Sequence, residues 1–312
     1  MLRVDVLPLG AHNYEYCWFA WTLCYIMARV AILADIHGNL PALEAVMADL
    51  KHVAPDHVVV NGDVINRGPQ SKECLAAIQA TGWPVVFGNH EEYVLKLADG
   101  RLPDLWTTDW WLPTRRVVEE LSREALNYLR GLPWKHVINV PGLSPMCIVH
   151  GSPRLLNEGL GFWMSDSELL DALYPAPEPV VIGAHTHRSF ERRVNGRWVL
   201  NCGAVGAPFN GDPSAQYLVL TGQQGEWSAD FRAVPYDREP VYAAWERTGY
   251  LHTSMVAQVF KYEVETATFH LLAYERYCQL NGLEPNLPES FAAYRLASSD
   301  TVPGRSLKHR TI

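Results

Sequence analysis

The chain has 312 residues, 48% of them hydrophobic and 19% charged, which is the composition of a globular protein long enough for one large domain with an appendage or for two domains. Its formal charge of -8 argues against a general nucleic-acid or membrane-surface binder, which needs a basic stripe, so any phosphate handled must be neutralised locally. Six scattered cysteines (Cys17, Cys24, Cys74, Cys147, Cys202, Cys278) with no C-x-x-C pair point to reduced thiols in a cytoplasmic setting and away from zinc held by thiolates.

In chain order, residues 1–26 come first, with an apolar and aromatic run from Tyr16 to Ile26. Its tryptophans and cysteines, with no Lys/Arg cluster before them, suit neither a secretory signal nor a membrane span. Met27 opens "MARVAILADIHGN" and is read as the native start, residues 1–26 being an upstream extension or a misassigned start. From there "RVAILAD" predicts a strand and "LPALEAVMADLKHV" a helix with Pro41 in its first turn. "HVVVNGD" predicts a strand, "SKECLAAIQATG" a helix stopped by glycine, and "PVVFGNHE" a strand again. Strands apolar throughout, rather than in alternation, are buried on both faces, so helices must cover this sheet. Residues 102–133, with Trp106, Trp110, Trp111, Arg115 and Arg116, are expected to form a helical insertion over the site. There the aromatics either stack a nucleobase beside the arginines or only pack the inserted helices. "MCIVHGS", "PVVIGAHTH", "RWVLNCGAVG" and "QYLVLTG" follow as strands of a sheet or sandwich that turns antiparallel, and no internal repeat is present. Residues 241–312 change rhythm to a helical appendage, which packs on the preceding domain or serves as a surface for self-association.

Each of the main strands runs out into polar residues: Asp35 and His37, Asp63, Asn89 and His90, His150, and His185 and His187. Ligand crevices of open α/β sheets form at the carboxyl ends of strands, so these side chains should converge. Asp35 and His37 are expected on one side of an extended chain, where alternate residues point the same way. A D-x-H triplet alone arises by chance roughly once in two chains of this composition. An ordered series of such motifs, each after a strand, does not.

The series "DIH", "GDVINRG", "GNHE", "VHG" and "GAHTH" resembles the calcineurin-like metallophosphoesterases, in their bacterial branch of small phosphoesterases, over about residues 27–240. The resemblance implies an α/β fold, an αββα sandwich of mixed sheets flanked by helices, here with a C-terminal helical extension. It also implies two divalent ions. Asp35, His37, Asp63 and His187 would hold one, and Asp63, Asn89, His150 and His185 the other. Mixed nitrogen and oxygen donors suit Mn, with Fe, Zn or Ni as alternatives, better than Ca or Mg. The implied reaction is hydrolysis of phosphomonoesters or phosphodiesters by a metal-bridging hydroxide, with Asp63 and His90 as catalytic residues. His90 would protonate the leaving oxygen or stabilise charge on the phosphoryl group, and Glu91 would orient His90.

Arg67 and Arg154, on loops next to ligand positions, are the candidate phosphate contacts together with His90, each weighed against a plain surface ion pair. The loop "GDVINRG" is similar to that of Ser/Thr phosphoprotein phosphatases and dinucleoside tetraphosphatases, but Asn66 stands where they have aspartate. Dinucleoside polyphosphatase or protein-phosphatase activity is therefore the alternative, and a scaffold that binds no substrate the more distant one. The expected partner is a phosphate-ester substrate, a nucleotide among the options, with neither nucleic acid nor membrane.

Overall fold

A computed structural model describes residues 27–101 and 108–299. The expected leader 1–26 and Trp106 lie outside the described residues. β1 (Ala28–Leu33), α1 (Leu40–Val53), β2 (His57–Val60) and α2 (Ser71–Thr81) follow the predicted boundaries closely. α1 takes Pro41 in its first turn and Asn39 caps it, accepting the Ala42 N–H. α2 ends on Gly82, whose positive φ of 68° suits glycine.

The stretch "PVVFGNHE" departs from its prediction. Only Val85 pairs, in an isolated parallel bridge with Val60, and Asn89 and His90 open a helix, α3 (Asn89–Ala98), instead of ending a strand. α4 (Leu112–Glu120) and α5 (Arg123–Arg130) fall within residues 102–133. Then come β3 (Lys135–Ile138), β4 (Met146–Val149), α6 (Asp166–Leu173), β5 (Val180–Gly183), β6 (Ser189–Val194), β7 (Arg197–Cys202), β8 (Ala215–Gln223) and β9 (Glu226–Val234).

The strands form two mixed sheets, in the orders β2-β1-β8-β9 and β3-β4-β5-β7-β6. β1 runs parallel to β2 and antiparallel to β8, with Ile32 opposite both Val59 and Leu218. The apolar sequence of β1 follows from this position between layers. Val30 and Ile32 face the inter-sheet core with Ile148, Ile182 and Leu200, while Ala31 and Leu33 face Leu43 and Val46 of α1. On the far side of the second sheet, Val149, Val181 and Val199 pack on Leu169 and Leu173 of α6. Helix, sheet, sheet and helix thus stack in four layers, each buried aliphatic side chain contributing about 1.5–3 kcal/mol.

Five further helices follow: α7 (Glu239–Thr248), α8 (Tyr250–Thr253), α9 (Met255–Thr266), α10 (Leu271–Asn281) and α11 (Pro288–Ser299). The long helical pattern is broken between α9 and α10, where Ala267 takes a φ of 50°. One face of α9 (Val256, Phe260, Val264) packs with Trp245 of α7 and with Phe209 of the preceding domain, the other (Met255, Val259) with Tyr274 and Phe291. Cys74, Cys147, Cys202 and Cys278 are buried free thiols. Among the described residues no helix is long and apolar enough to cross a membrane.

Candidate active site

The carboxyl ends of the strands from both sheets meet at one place. Asp35, His37, Asp63, His185 and His187 all adopt positive φ, from 49° to 66°, on the loops leaving β1, β2 and β5. The left-handed region is one that Asp and His visit more readily than most residues, and strained backbone of this kind clusters at functional sites. It also corrects the reason for the D-x-H spacing: Asp35 and His37 share a target because both curl out of the strand, not because an extended chain alternates. The loops are tied to one another by Asp35 N–H to Gly62 O at 3.2 Å, His37 N–H to Asp63 O at 2.9 Å and Gly206 N–H to Asp35 O at 2.9 Å.

Each carboxylate spends one oxygen on this scaffold. Asp35 Oδ2 accepts the His185 N–H at 3.1 Å and Asp63 Oδ1 accepts the His90 N–H at 2.8 Å. Their other oxygens, Asp35 Oδ1 and Asp63 Oδ2, are buried and have no hydrogen-bond partner in the protein. Imidazole nitrogens surround them: His187 Nε2 lies 3.4 Å from Asp35 Oδ1, and His150 Nε2 lies 3.2 Å and His37 Nε2 3.7 Å from Asp63 Oδ2. His37 Nε2 and His187 Nε2 face each other at 3.1 Å, and Asn89 Oδ1 sits 2.9 Å from His150 Nε2 and 2.7 Å from His185 Nδ1.

The far nitrogens of the rings face main-chain carbonyls: His150 Nδ1 to Asn61 O at 2.8 Å and His187 Nδ1 to Ala207 O at 2.5 Å. This places the proton on Nδ1 and turns the Nε2 lone pair inward, the arrangement by which histidine ligands are held for a metal. Asp35, His37 and His187 form one group that fits a metal ion, and Asp63, His150 and His185 a second. Buried carboxylate oxygens without donors, ringed by nitrogen lone pairs, are the donor set of a borderline divalent cation.

The electrostatics of three of these rings agree. Burial holds the imidazoles of His37 and His187 well below their usual range and lowers His185 to about 4, so these rings are neutral. His150 differs: burial alone would lower it as well, but the Asp63 carboxylate beside it raises it to about 10, so with no cation beside it this ring holds a proton that a bound metal ion would displace. Burial raises Asp35 well above the usual carboxylate range.

His90 is placed on the first turn of α3, its ring centre 4.7 Å from that of His37 in an edge-to-face arrangement and its Nδ1 buried with no hydrogen-bond partner among the described residues. Glu91 is corrected: its carboxylate does not reach His90 but accepts the N–H groups of Asp63 at 2.8 Å, Val64 at 2.9 Å and Gly88 at 3.0 Å. As the third residue of α3 it points back at the helix start, so it braces the loop that carries Asp63. Two glycines are needed for closeness. A Cβ on Gly62 would lie 2.6 Å from His150 Nδ1, and one on Gly88 2.2 Å from Asp63 Oδ1.

Of the two arginines read from sequence, Arg154 is absent from the site. It pairs with Glu158 at 2.7 Å and with Asp171 of α6, because these carboxylates lie nearer than the strand ends. Arg67 borders the site, but its guanidinium is ion-paired with buried Glu263 of α9 and lies 4.4 Å from the Phe260 ring centre. In the insertion, Arg115 donates to Thr108 O at 2.6 Å and Arg116 to Thr253 Oγ1 at 3.0 Å.

Asp63, Asn89, His90, His185 and His187 open into a cavity of about 580 Å³, within the usual range for small-molecule sites. Its remaining wall comes from three places: Trp110, Trp111 and Thr114 of the insertion, Trp163 and Phe209 of the loops, and residues of α9 and α10. Arg188 also lines it, with Nε donating to Phe209 O at 2.8 Å. Arg188 was missed although it directly follows His187, a placement visible in sequence. Phe260, Glu263, Phe269 and Leu272 carry no local signal that would have found them.

The calcineurin-like phosphoesterase superfamily domain matches residues 28–225. The chain belongs to this superfamily. It is 24% identical over 239 residues to an uncharacterised protein of Methanocaldococcus jannaschii, covering 70% of this chain and 91% of the relative. To the protein named serine/threonine-protein phosphatase 1 of Salmonella typhimurium it is 33% identical over 112 residues, 34% of this chain and 51% of the relative. Among solved structures, a metallophosphoesterase from Sphaerobacter thermophilus superposes with a TM-score of 0.61 at 25% identity, covering 77% of this chain and all of that one. A hypothetical protein from Pyrococcus horikoshii gives 0.63 at 20% identity over 75% and 97%. The αββα architecture is therefore that of the superfamily.

Proposed function

We propose that this phosphoesterase-family protein is a metal-dependent phosphoric ester hydrolase, a phosphatase or phosphodiesterase, with two divalent ions at the strand ends. The observation that carries the reading is the pair of buried, unpartnered oxygens Asp35 Oδ1 and Asp63 Oδ2 among inward-facing imidazoles. Asp35, His37, Asp63 and His187 would hold one ion and Asp63, Asn89, His150 and His185 the other, with Mn as the ion of first choice. Such ions, when bound, neutralise the phosphate and lower the pKa of a coordinated water.

The chain's own residues do the rest. Buried Arg67 adds a positive charge felt by His37, His90, His185 and His187, which lowers their affinity for protons and favours an anion nearby. Its guanidinium stays with Glu263, so the fork offered to phosphate is that of Arg188, whose Nη groups make no hydrogen bond among the described residues. Burial lowers His90 to about 3, so a neutral imidazole faces the cavity. That supports hydrogen-bond donation to a phosphoryl or leaving oxygen over delivery of a proton from imidazolium.

Protein reconstituted with Mn should bind about two ions per chain and hydrolyse p-nitrophenyl phosphate or bis(p-nitrophenyl) phosphate. Asp63→Ala should lose metal and at least roughly 10²-fold in activity, whereas His90→Ala should lose a comparable factor with metal retained. Absence of metal under Mn-replete conditions, or full activity in both variants, would overturn the reading in favour of a scaffold.

A further inference from the structure

Resting on the phosphoesterase reading, we propose that the cavity beside the strand ends receives the organic part of the ester and selects an uncharged aromatic group there. The cavity has two unlike ends. At one, the metal-competent residues, Arg188, Thr186 and Tyr93 supply the polar groups. At the other, the polar side chains are already used: Arg67 is held by Glu263, and Asn66 gives its Nδ2 to Thr114 Oγ1 at 3.0 Å and its Oδ1 to the Arg67 N–H at 2.9 Å.

What remains of that wall is apolar and largely aromatic, with Trp110, Trp111, Phe209, Phe260 and Phe269 facing the space. Rings of this kind favour a flat apolar partner, by burial and by offset or edge contacts. A ribose, a peptide backbone or a charged group placed against them would give up its hydrogen bonds to water and find none in return. The mouth continues the pattern: Trp163 and Leu272, both cavity residues, are each 52% exposed, a presentation of large apolar surface that marks a binding edge. The volume of about 580 Å³ holds a two-ring group together with its phosphate. A folded phosphoprotein would have to insert a side chain between α9, α10 and the insertion, so the same wall that welcomes an aryl group obstructs a protein surface.

Two measurements on the full chain test this. With Mn bound, kcat/KM for 1-naphthyl phosphate should exceed that for phosphoserine and for adenosine 5′-monophosphate by at least roughly tenfold. Calorimetry should show 1-naphthylmethylphosphonate, which is not hydrolysed, binding roughly tenfold tighter than methylphosphonate. Leu272→Glu should abolish that margin, whereas Leu280→Glu, on the same helix but 74% exposed and outside the cavity, should keep it. Equal or better use of phosphoserine or the nucleotide, equal binding of the two phosphonates, or a margin untouched by Leu272→Glu would sink the proposal. A phosphonate margin without turnover of any ester supports this cavity assignment and refutes the hydrolase; turnover without a margin does the reverse.

Discussion

The strand-end residues and the wall that faces them are built by opposite means. Asp35, His37, Asp63, His185 and His187 are fixed through their backbones, in left-handed conformations that cost about 1 kcal/mol or more apiece, on loops that main-chain hydrogen bonds tie to one another. The wall from α9 and α10 is ordinary helix, capped by Ser254 at the start of α9 and by Gly282 at the end of α10, and its side chains reach the site through packing and one ion pair that spans 196 residues of sequence. Atoms that must meet to within tenths of an ångström are set by main chain, while a shape that need only exclude water is set by side-chain bulk. The two regions should therefore fail differently.

The largest expected effect falls on their junction. Glu263 is 1% exposed, and its carboxylate takes the Arg67 guanidinium together with the His270 N–H at 2.8 Å and the Leu271 N–H at 2.9 Å. Glu263→Met strands a buried guanidinium and two amides, and denaturant melting should show a loss of about 3–5 kcal/mol. Arg67→Met should cost less, since the carboxylate keeps its two amide donors. The double variant should recover part of the loss, and strict additivity of the two single effects would show that the pair does not couple the regions.

A smaller loss is expected within the strand-end region alone. In Gly88→Ala the new methyl would meet Asp63 Oδ1 and the Asp63 N at 2.2 and 2.4 Å, and neither neighbour can yield without moving the carboxylate. Stability should fall by about 1–3 kcal/mol and Mn binding should weaken, while hydrogen exchange in α10 and α11 stays as in the parent. Loss of protection in those helices would mean that the regions are not separable in this direction.

The same contrast explains what could be read from sequence. The ligand-bearing loops were legible because each motif is local: a glycine for closeness, an acid or histidine at a strand end, and a fixed order along the chain. The α1 and α2 boundaries were legible for the same reason, through Pro41, Asn39 and Gly82. Glu91 was misread because a carboxylate next to His90 in sequence points backward on a helix, toward amides three residues earlier. Arg154 forms the surface ion pair that was weighed against a phosphate contact, with Glu158 four residues later and with Asp171 of α6. Arg67 was legible as a residue of the site, but not its commitment to Glu263, since nothing near residue 67 announces a helix that arrives almost two hundred residues later. Trp110 and Trp111 of the insertion line the cavity, yet Arg115 and Arg116 turn to Thr108 and Thr253, a division that periodicity cannot supply.

The smallest effect, and the most selective for the wall, is a dependence on acid. His270, 7% exposed, joins α9 to α10 and α11: its Nε2 lies 2.9 Å from Thr266 Oγ1 and its Nδ1 2.7 Å from the Tyr294 hydroxyl. Thr266 already donates to Tyr262 O at 2.8 Å, so its oxygen accepts from Nε2–H and leaves Nδ1 to accept from Tyr294. That network needs a neutral ring, and burial accordingly lowers His270 to about 4. An unfolded histidine titrates near 6.5, so between about pH 6.5 and 4 the unfolded state binds the extra proton and stability falls with pH. The stabilisation is complete above about pH 6.5 and is withdrawn through that window, by on the order of 2 kcal/mol. Protection factors in α10 and α11, with the intrinsic exchange rate at each pH divided out, should fall from pH 7 to pH 5 while those in α1 hold, and His270→Gln should flatten the change. An equal response in α1 would place the acid-sensitive group outside the C-terminal helices.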